Sequence, residues 1–229
     1  MTNLHKHVLK NPNYASWQVN NCYSGCTETP DLHQNNSECT VTYMTKRKPL
    51  LSTSEVRREA VIQSAMIIFA ANGYLGTPVT DVAMHAQIST AYVFKLFPSK
   101  QELFIAALER CFDAILIALA KGAEDSTDQT PESVLSAMGG SYADLIADRK
   151  LLLLQIHAQS ASGVPEIAKA FRRGLRLVVN FVKTRSNASD ELVQKFMAYG
   201  QLCHLITITG LETDKSSWAR ILNTGIRHV

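Results

Sequence analysis

The chain has 229 residues, 46% of them hydrophobic and 19% charged, and a formal net charge of +3. That balance excludes wholesale disorder, and the length suffices to bury a core in one large or two small domains. No apolar run approaches the ~18 residues needed to span a bilayer, and residues 1–43 hold no apolar segment of the secretory type. The expectation is a cytoplasmic protein without a membrane partner.

Five cysteines is an odd number. Cys22, Cys26 and Cys39 fall in the first 43 residues, while Cys111 and Cys203 sit in apolar helical contexts, where cysteine behaves as a small hydrophobe; no disulfide framework is expected. The charge is uneven. Residues 44–110 carry 8 basic and 5 acidic side chains, against 2 and 3 in residues 1–43 and 13 and 12 in residues 111–229. A local excess of this kind points to a local anionic partner.

Residues 1–50 show no sustained period and are expected to be a disordered extension, with Met44 a candidate natural start. Ser52 and Glu55 then fit a capping box, with Leu51 and Val56 as its hydrophobic staple. Ile62, Ala65, Met66, Phe69 and Ala70 form one apolar helical stripe, ended at Asn72-Gly73 by a left-handed glycine. Thr77-Pro78 predicts an N-cap and N1 proline opening a two-turn helix that ends near Ala86. Ser89 caps a third helix through Phe97. Pro98 stops it, and Ser99 with Glu102 opens a long helix to about Lys121. Further helices are predicted from Thr130-Pro131 to about Ala147, Lys150 to Ala161, Pro165 to about Thr184, Ser189 to about Leu211, and Lys215 to Ile226. Strand signals are missing.

Two short helices joined by a tight turn form a helix-turn-helix, whose second helix fits the ~12 Å major groove while the first crosses the phosphates. Ile88, Val93, Leu96 and Phe97 supply the apolar surface that would hold the second helix. Ser89, Thr90 and Ala91 are small and let its start approach a phosphate closely. Tyr92 and Lys95 lie along one side. Lys46, Arg47, Lys48, Arg57 and Arg58 add positive charge nearby.

Val79-Thr80-Asp81-Val82-Ala83, followed after five residues by Ser89-Thr90-Ala91-Tyr92-Val93-Phe94-Lys95-Leu96-Phe97-Pro98-Ser99-Lys100 and then Glu102-Leu103, resembles the DNA-binding domain of the tetracycline-repressor (TetR) family over about Val56 to Leu108. The resemblance implies an all-α protein, with an N-terminal three-helix DNA-binding domain (51–98) and a C-terminal helical domain for ligand binding and dimerisation (99–229). It implies a homodimeric regulator, usually a repressor, that leaves palindromic double-stranded DNA when a small, largely apolar effector binds. Carried over by position, Thr77 and Thr80 resemble phosphate contacts of the second helix. Ser89, Thr90, Ala91, Tyr92 and Lys95 resemble contacts of the recognition helix, and Lys100 a phosphate contact at the fourth. The chain has Gln87 where the family often has Gly, Tyr92 where it often has Thr or Ser, and Phe94 where it usually has Tyr. Whether Tyr92 or Phe94 faces DNA is left open.

By the same analogy the effector cavity lies among the fourth to seventh helices, with Phe112, Ile115, Met138, Leu152 and Phe171 as apolar candidates and Tyr142, Gln155 and His157 as polar ones. The last two helices would form the dimer interface. No cofactor, metal or catalytic residue is expected. Cys203 and His204 are adjacent, so on a helix they diverge by about 100° and cannot pair; phosphate loops, H-E-x-x-H and G-x-S-x-G are missing. The Cys22, Cys26, Cys39 and His33 spacing matches no recognised zinc pattern. The competing readings are a helical ligand-binding or interaction module without operator binding, and an activator of the same fold.

Overall fold

The computed structural model describes residues 53–226. The predicted extension, the Lys46–Lys48 arm, Leu51, Ser52 and the three early cysteines lie outside those residues. Among the described residues the structure is entirely helical. In chain order the elements are α1 (Thr53–Gly76), α2 (Val79–His85), α3 (Thr90–Leu96), α4 (Lys100–Glu124), α5 (Pro131–Ala147), α6 (Arg149–Ser160), α7 (Pro165–Ser186), α8 (Asp190–Thr209), a 3-10 turn (Leu211–Thr213) and α9 (Ser217–Asn223). No described helix is long and apolar enough to cross a membrane.

The predicted caps account for most of these starts. Ser89 accepts from the Tyr92 amide at 3.2 Å, Ser99 from Glu102 at 3.1 Å and Ser189 from Leu192 at 3.2 Å. Each satisfies one amide that the first helical turn leaves orphaned. Thr130 accepts from Ser133 ahead of Pro131. Gly73 takes φ +71°, as expected, and kinks α1 one turn before its end at Gly76.

Thr77 corrects a prediction. Pro78, not Thr77, holds the N-cap position of α2, and no side chain caps that helix. The Thr77 hydroxyl instead turns back and donates to the Gly73 carbonyl at 2.7 Å. The kink at Gly73 frees that carbonyl from the helical ladder, and a threonine four residues on is close enough to take it. The last helix is also shorter than predicted, starting after its N-cap Ser216 and ending at Asn223, and Gly210 in the left-handed conformation ends α8 before Leu211, which falls in a 3-10 turn.

One hydrophobic core runs from Val61 on α1 to Val193 on α8. α4 is its spine, packing on α1, α5 and α7. Phe104 on α4 meets Phe69 edge-to-face at 4.9 Å and Tyr74 at 5.2 Å, and Arg110 pairs with Glu59 across the same α1–α4 seam. α6 packs on α1 as well. The helix-turn-helix is therefore fastened to the rest of the chain through two helices, α4 and α6.

Candidate functional site

α3 is seated by its apolar side. Val93 and Phe97 are buried, Ile88 and Leu96 are half-buried against the core, and the Arg58 guanidinium lies over the Phe97 ring at 4.4 Å. The opposite side carries Ala91, Phe94 and Lys95, all exposed and at i, i+3, i+4 spacing, with Ser89 exposed and Thr90 half-exposed at the start. Phe94 is 44% exposed. Tyr92 is half-buried, with Arg57 over its ring at 5.8 Å. Of the two aromatic side chains left open by the sequence, the more exposed is Phe94, which the candidate set omitted. Its spacing from Ala91 and Lys95 on one helical face was the available signal.

The turn before α3 explains the Gln87 departure. Gln87 takes φ +56°, a left-handed conformation that glycine adopts without strain. The turn keeps its shape, held by the Ile88 amide donating to Ala83 at 3.0 Å.

Two predicted phosphate contacts are occupied by the protein itself. Thr77 is fully buried, with its hydroxyl spent on Gly73, so its side chain offers nothing to a phosphate. Lys100 donates to the carbonyls of Thr77 at 3.1 Å and Leu75 at 3.4 Å, and its ammonium sits 4.9 Å from the Tyr74 ring centroid. It pins the link between α1 and α2. Thr80 is exposed on α2, with only a 3.4 Å contact to Asp81.

The second feature is a cavity of about 390 Å³, within the range of small-molecule sites. Phe112 and Ile115 of α4, Tyr142 of α5 and Gln155 of α6 line it, as expected. Met138, Leu152, His157 and Phe171 do not. Met138 and Leu152 are fully buried in packing. Phe171 stands behind the wall, edge-on to Phe112 at 5.6 Å. His157 faces away, toward the α1 kink, where a Cβ on Gly73 would lie 2.9 Å from its Nδ1. Residues two apart on a helix point about 200° apart, so Gln155 and His157 serve opposite neighbours. Sequence reasoning missed α8, which contributes Phe196, Gly200 and Cys203, because the whole helix was assigned to the dimer interface.

A polar chain closes one end of the cavity. The Tyr142 hydroxyl lies 2.5 Å from His204 Nε2, and the Gln155 amide nitrogen donates to it at 3.2 Å and to the Leu151 carbonyl at 3.2 Å. His204 is 4% exposed and its Nδ1 has no partner. Burial lowers its pKa to about 4 and pushes that of Tyr142 well up, so both are neutral at pH 7. Burial likewise pushes the Cys111 thiol up to about 12, leaving an unreactive core residue.

His204 makes stability pH-dependent. Its unfolded pKa of about 6.5 exceeds the folded value of about 4, so between these limits the unfolded chain binds a proton that the native state refuses. Its stabilising contribution is complete above pH 6.5 and is lost as pH falls through 4. Melting curves should show the wild type losing up to ~3 kcal/mol relative to His204→Gln between pH 7.5 and 4.5. Parallel curves for the two proteins would contradict this.

A short-helix pair presenting one exposed helix, joined to a helical body with a cavity, defines a helix-turn-helix fold carried on a larger helical body. The chain matches, over residues 61–107, the family model described as bacterial regulatory proteins, tetR family. It is 23% identical to the uncharacterised HTH-type transcriptional regulator YuxN of Bacillus subtilis, over 66% of this chain and 51% of that protein. It is also 23% identical to the HTH-type transcriptional regulator HbdR of Aromatoleum, over 60% and 56%. The chain spans about half the length of these curated relatives. Among solved structures, a TetR-family regulator from Agrobacterium tumefaciens superposes with a TM-score of 0.59 at 15% identity, covering 74% of this chain and 93% of that one. FadR of Bacillus subtilis, solved with stearoyl-CoA, gives 0.58 at 15% identity, covering 74% and 99%. At these identities the likeness is one of fold.

Proposed function

We propose that the chain is a homodimeric transcriptional repressor that holds a palindromic operator through α3 and releases it when a small, largely apolar molecule fills the cavity. Residues 51–98 read DNA, 99–229 sense the effector and dimerise, and 1–50 form an extension. The observation that carries the reading is the division of α3, with Val93 and Phe97 buried on one side and Ala91, Phe94 and Lys95 standing free on the other. A helix that served only the core would not expose a phenylalanine beside a lysine. Ser89, Thr90 and Thr80 flank that face and offer hydroxyls to phosphates, and Phe94 is suited to a thymine methyl.

Dimerisation is supported by unpartnered apolar side chains on α8 and α9. Leu205, Trp218 and Ile221 are exposed, Ile221 to 74%. Large apolar side chains left open in this way, two of them one turn apart on α9, fit an association surface better than a solvated one, and a palindrome requires two α3 helices about 34–36 Å apart. The double variant Trp218→Asp, Ile221→Asp is expected to elute at the monomer mass in light-scattering chromatography and to lose operator affinity with it. A dimer persisting at low micromolar concentration would refute this interface.

Release follows from the two helices that join cavity to DNA reader. α4 carries Phe112 and Ile115 in the cavity wall and Lys100 on the α1–α2 link. α6 carries Gln155 in the wall and His157 against Gly73. A ligand that spreads α4 from α6 changes the seat of α1 and so the spacing of the paired α3 helices. Fluorescence anisotropy with DNA from upstream of the gene tests the reading: nanomolar, salt-sensitive binding is expected. Binding no tighter to that DNA than to random duplex would overturn it.

A further inference from the structure

The lining of the cavity is graded from end to end. Along α5 it runs from Glu132 to Ala143 and along α8 from Leu192 to Cys203. At 1.5 Å per residue each wall is about 16 Å long. The two helices face each other in parallel, since a Cβ on Gly139 would meet the Phe196 ring at 3.7 Å while Tyr142 bonds His204. Glu132 therefore marks one end, with the exposed Lys195 about one turn inside it on α8, and the polar chain of Tyr142 and Gln155, tied to His204 behind the wall, marks the other. Between them the wall is mostly apolar, formed by Phe112, Ile115 and Val178 among others, with Ser136 and Gln201 as its polar members.

Counting protons along that chain decides what its end can accept. The two amide protons of Gln155 go to Leu151 and to the Tyr142 oxygen. The single phenolic proton of Tyr142 has two acceptors within reach, His204 Nε2 at 2.5 Å and Gln155 Oε1 at 3.4 Å. The shorter bond is the stronger. Gln155 Oε1 is then left with a spare acceptor position in a residue that lines the cavity and is 5% exposed. In the other arrangement, with His204 donating from Nε2, the Tyr142 proton passes to Gln155 Oε1, which keeps its second lone pair without a donor, and the chain gains no charge either. Neither arrangement places a cation at the buried end.

We infer that the cavity takes an uncharged, elongated apolar molecule bearing one hydroxyl, which enters hydroxyl first and donates to Gln155 beside Tyr142, and that it rejects a carboxylate from the same position. This rests on the cavity being the effector site. An alcohol replaces the missing donor to Gln155 Oε1. A carboxylate brings only acceptors and a charge to an end without a countercharge, where burying it is unfavourable.

The test compares three probes of one chain length, 1-decanol, decanoate and decane, by equilibrium dialysis against the full chain at pH 7.5. 1-Decanol is expected to bind at least tenfold tighter than either of the others. In Gln155→Leu that preference over decane should shrink below threefold while decane affinity holds. Decanoate binding as tightly as the alcohol would overturn the inference, with Lys195 then the anchor. Decane matching the alcohol, or no probe binding below 100 µM, would overturn it equally. Operator anisotropy on the same samples separates the two failures. Ligand binding without operator release leaves the ligand class standing and removes the regulatory reading. Operator binding without any ligand uptake does the reverse.

Discussion

Reversing the exposed face of α3 with the double variant Phe94→Asp, Lys95→Glu is expected to weaken operator binding by more than 100-fold, roughly 3 kcal/mol, without lowering the melting temperature. Both side chains are exposed, Phe94 to 44%, and the helix is seated by Val93 and Phe97 instead, so folding has little to lose. Binding has much to lose, because two carboxylates would face the phosphates and bases that α3 must approach. The single variants divide the effect. Lys95→Ala removes one neutralised phosphate per protomer, two per dimer, so the slope of log affinity against log salt should fall by about 2 for every sequence alike. Phe94→Ala should leave that slope unchanged and narrow the gap between operator and random duplex by roughly 1–3 kcal/mol. Anisotropy titrations between 50 and 200 mM salt read all three. Wild-type affinity in the double variant would mean that another surface meets DNA.

The helices and their starts were legible because they are written in local chemistry. Ser89, Ser99 and Ser189 each precede an amide they can reach, and Gly73 supplies a backbone conformation that few residues tolerate. The apolar seat of α3 was legible for the same reason, as Ile88, Val93, Leu96 and Phe97 fall on one face of a single short helix. What was not legible were contacts that depend on partners distant in the chain. Lys100 resembles a phosphate contact by position, and nothing local to it shows that it also donates to the Thr77 and Leu75 carbonyls, more than twenty residues earlier. Gln155 and His157 are equally polar and two residues apart, yet only the neighbours of α6 decide that one meets the cavity and the other Gly73. His204 drew notice only for its adjacency to Cys203; its tie to Tyr142, sixty-two residues away, has no sequence signature.

Gly122→Ala and Gly200→Ala make the same chemical change on two helices and are expected to move stability in opposite directions. Alanine favours a helix interior over glycine by about 1 kcal/mol, and at Gly200 a new Cβ meets nothing within 4 Å. That variant should melt roughly 2–4 °C higher. At Gly122 the Cβ would lie 2.6 Å from the Ala137 carbonyl oxygen and 2.8 Å from Met138 Cα. These are backbone atoms of α5, and no rotamer change relieves them. α4 and α5 must separate, yet Met138 is fully buried and gives α5 no room to slide. Overpacking of this kind costs about 1–3 kcal/mol, and a backbone obstruction belongs at the upper end. After the propensity gain, a net loss of about 2 kcal/mol remains, or a fall of roughly 4–8 °C in calorimetry. The same separation reaches the cavity, because Phe112 and Ile115 stand on α4 and Leu135 and Tyr142 on α5. Gly122→Ala should therefore also weaken 1-decanol uptake, whereas a variant as stable as the wild type would show that the α4–α5 contact yields more readily than its geometry implies.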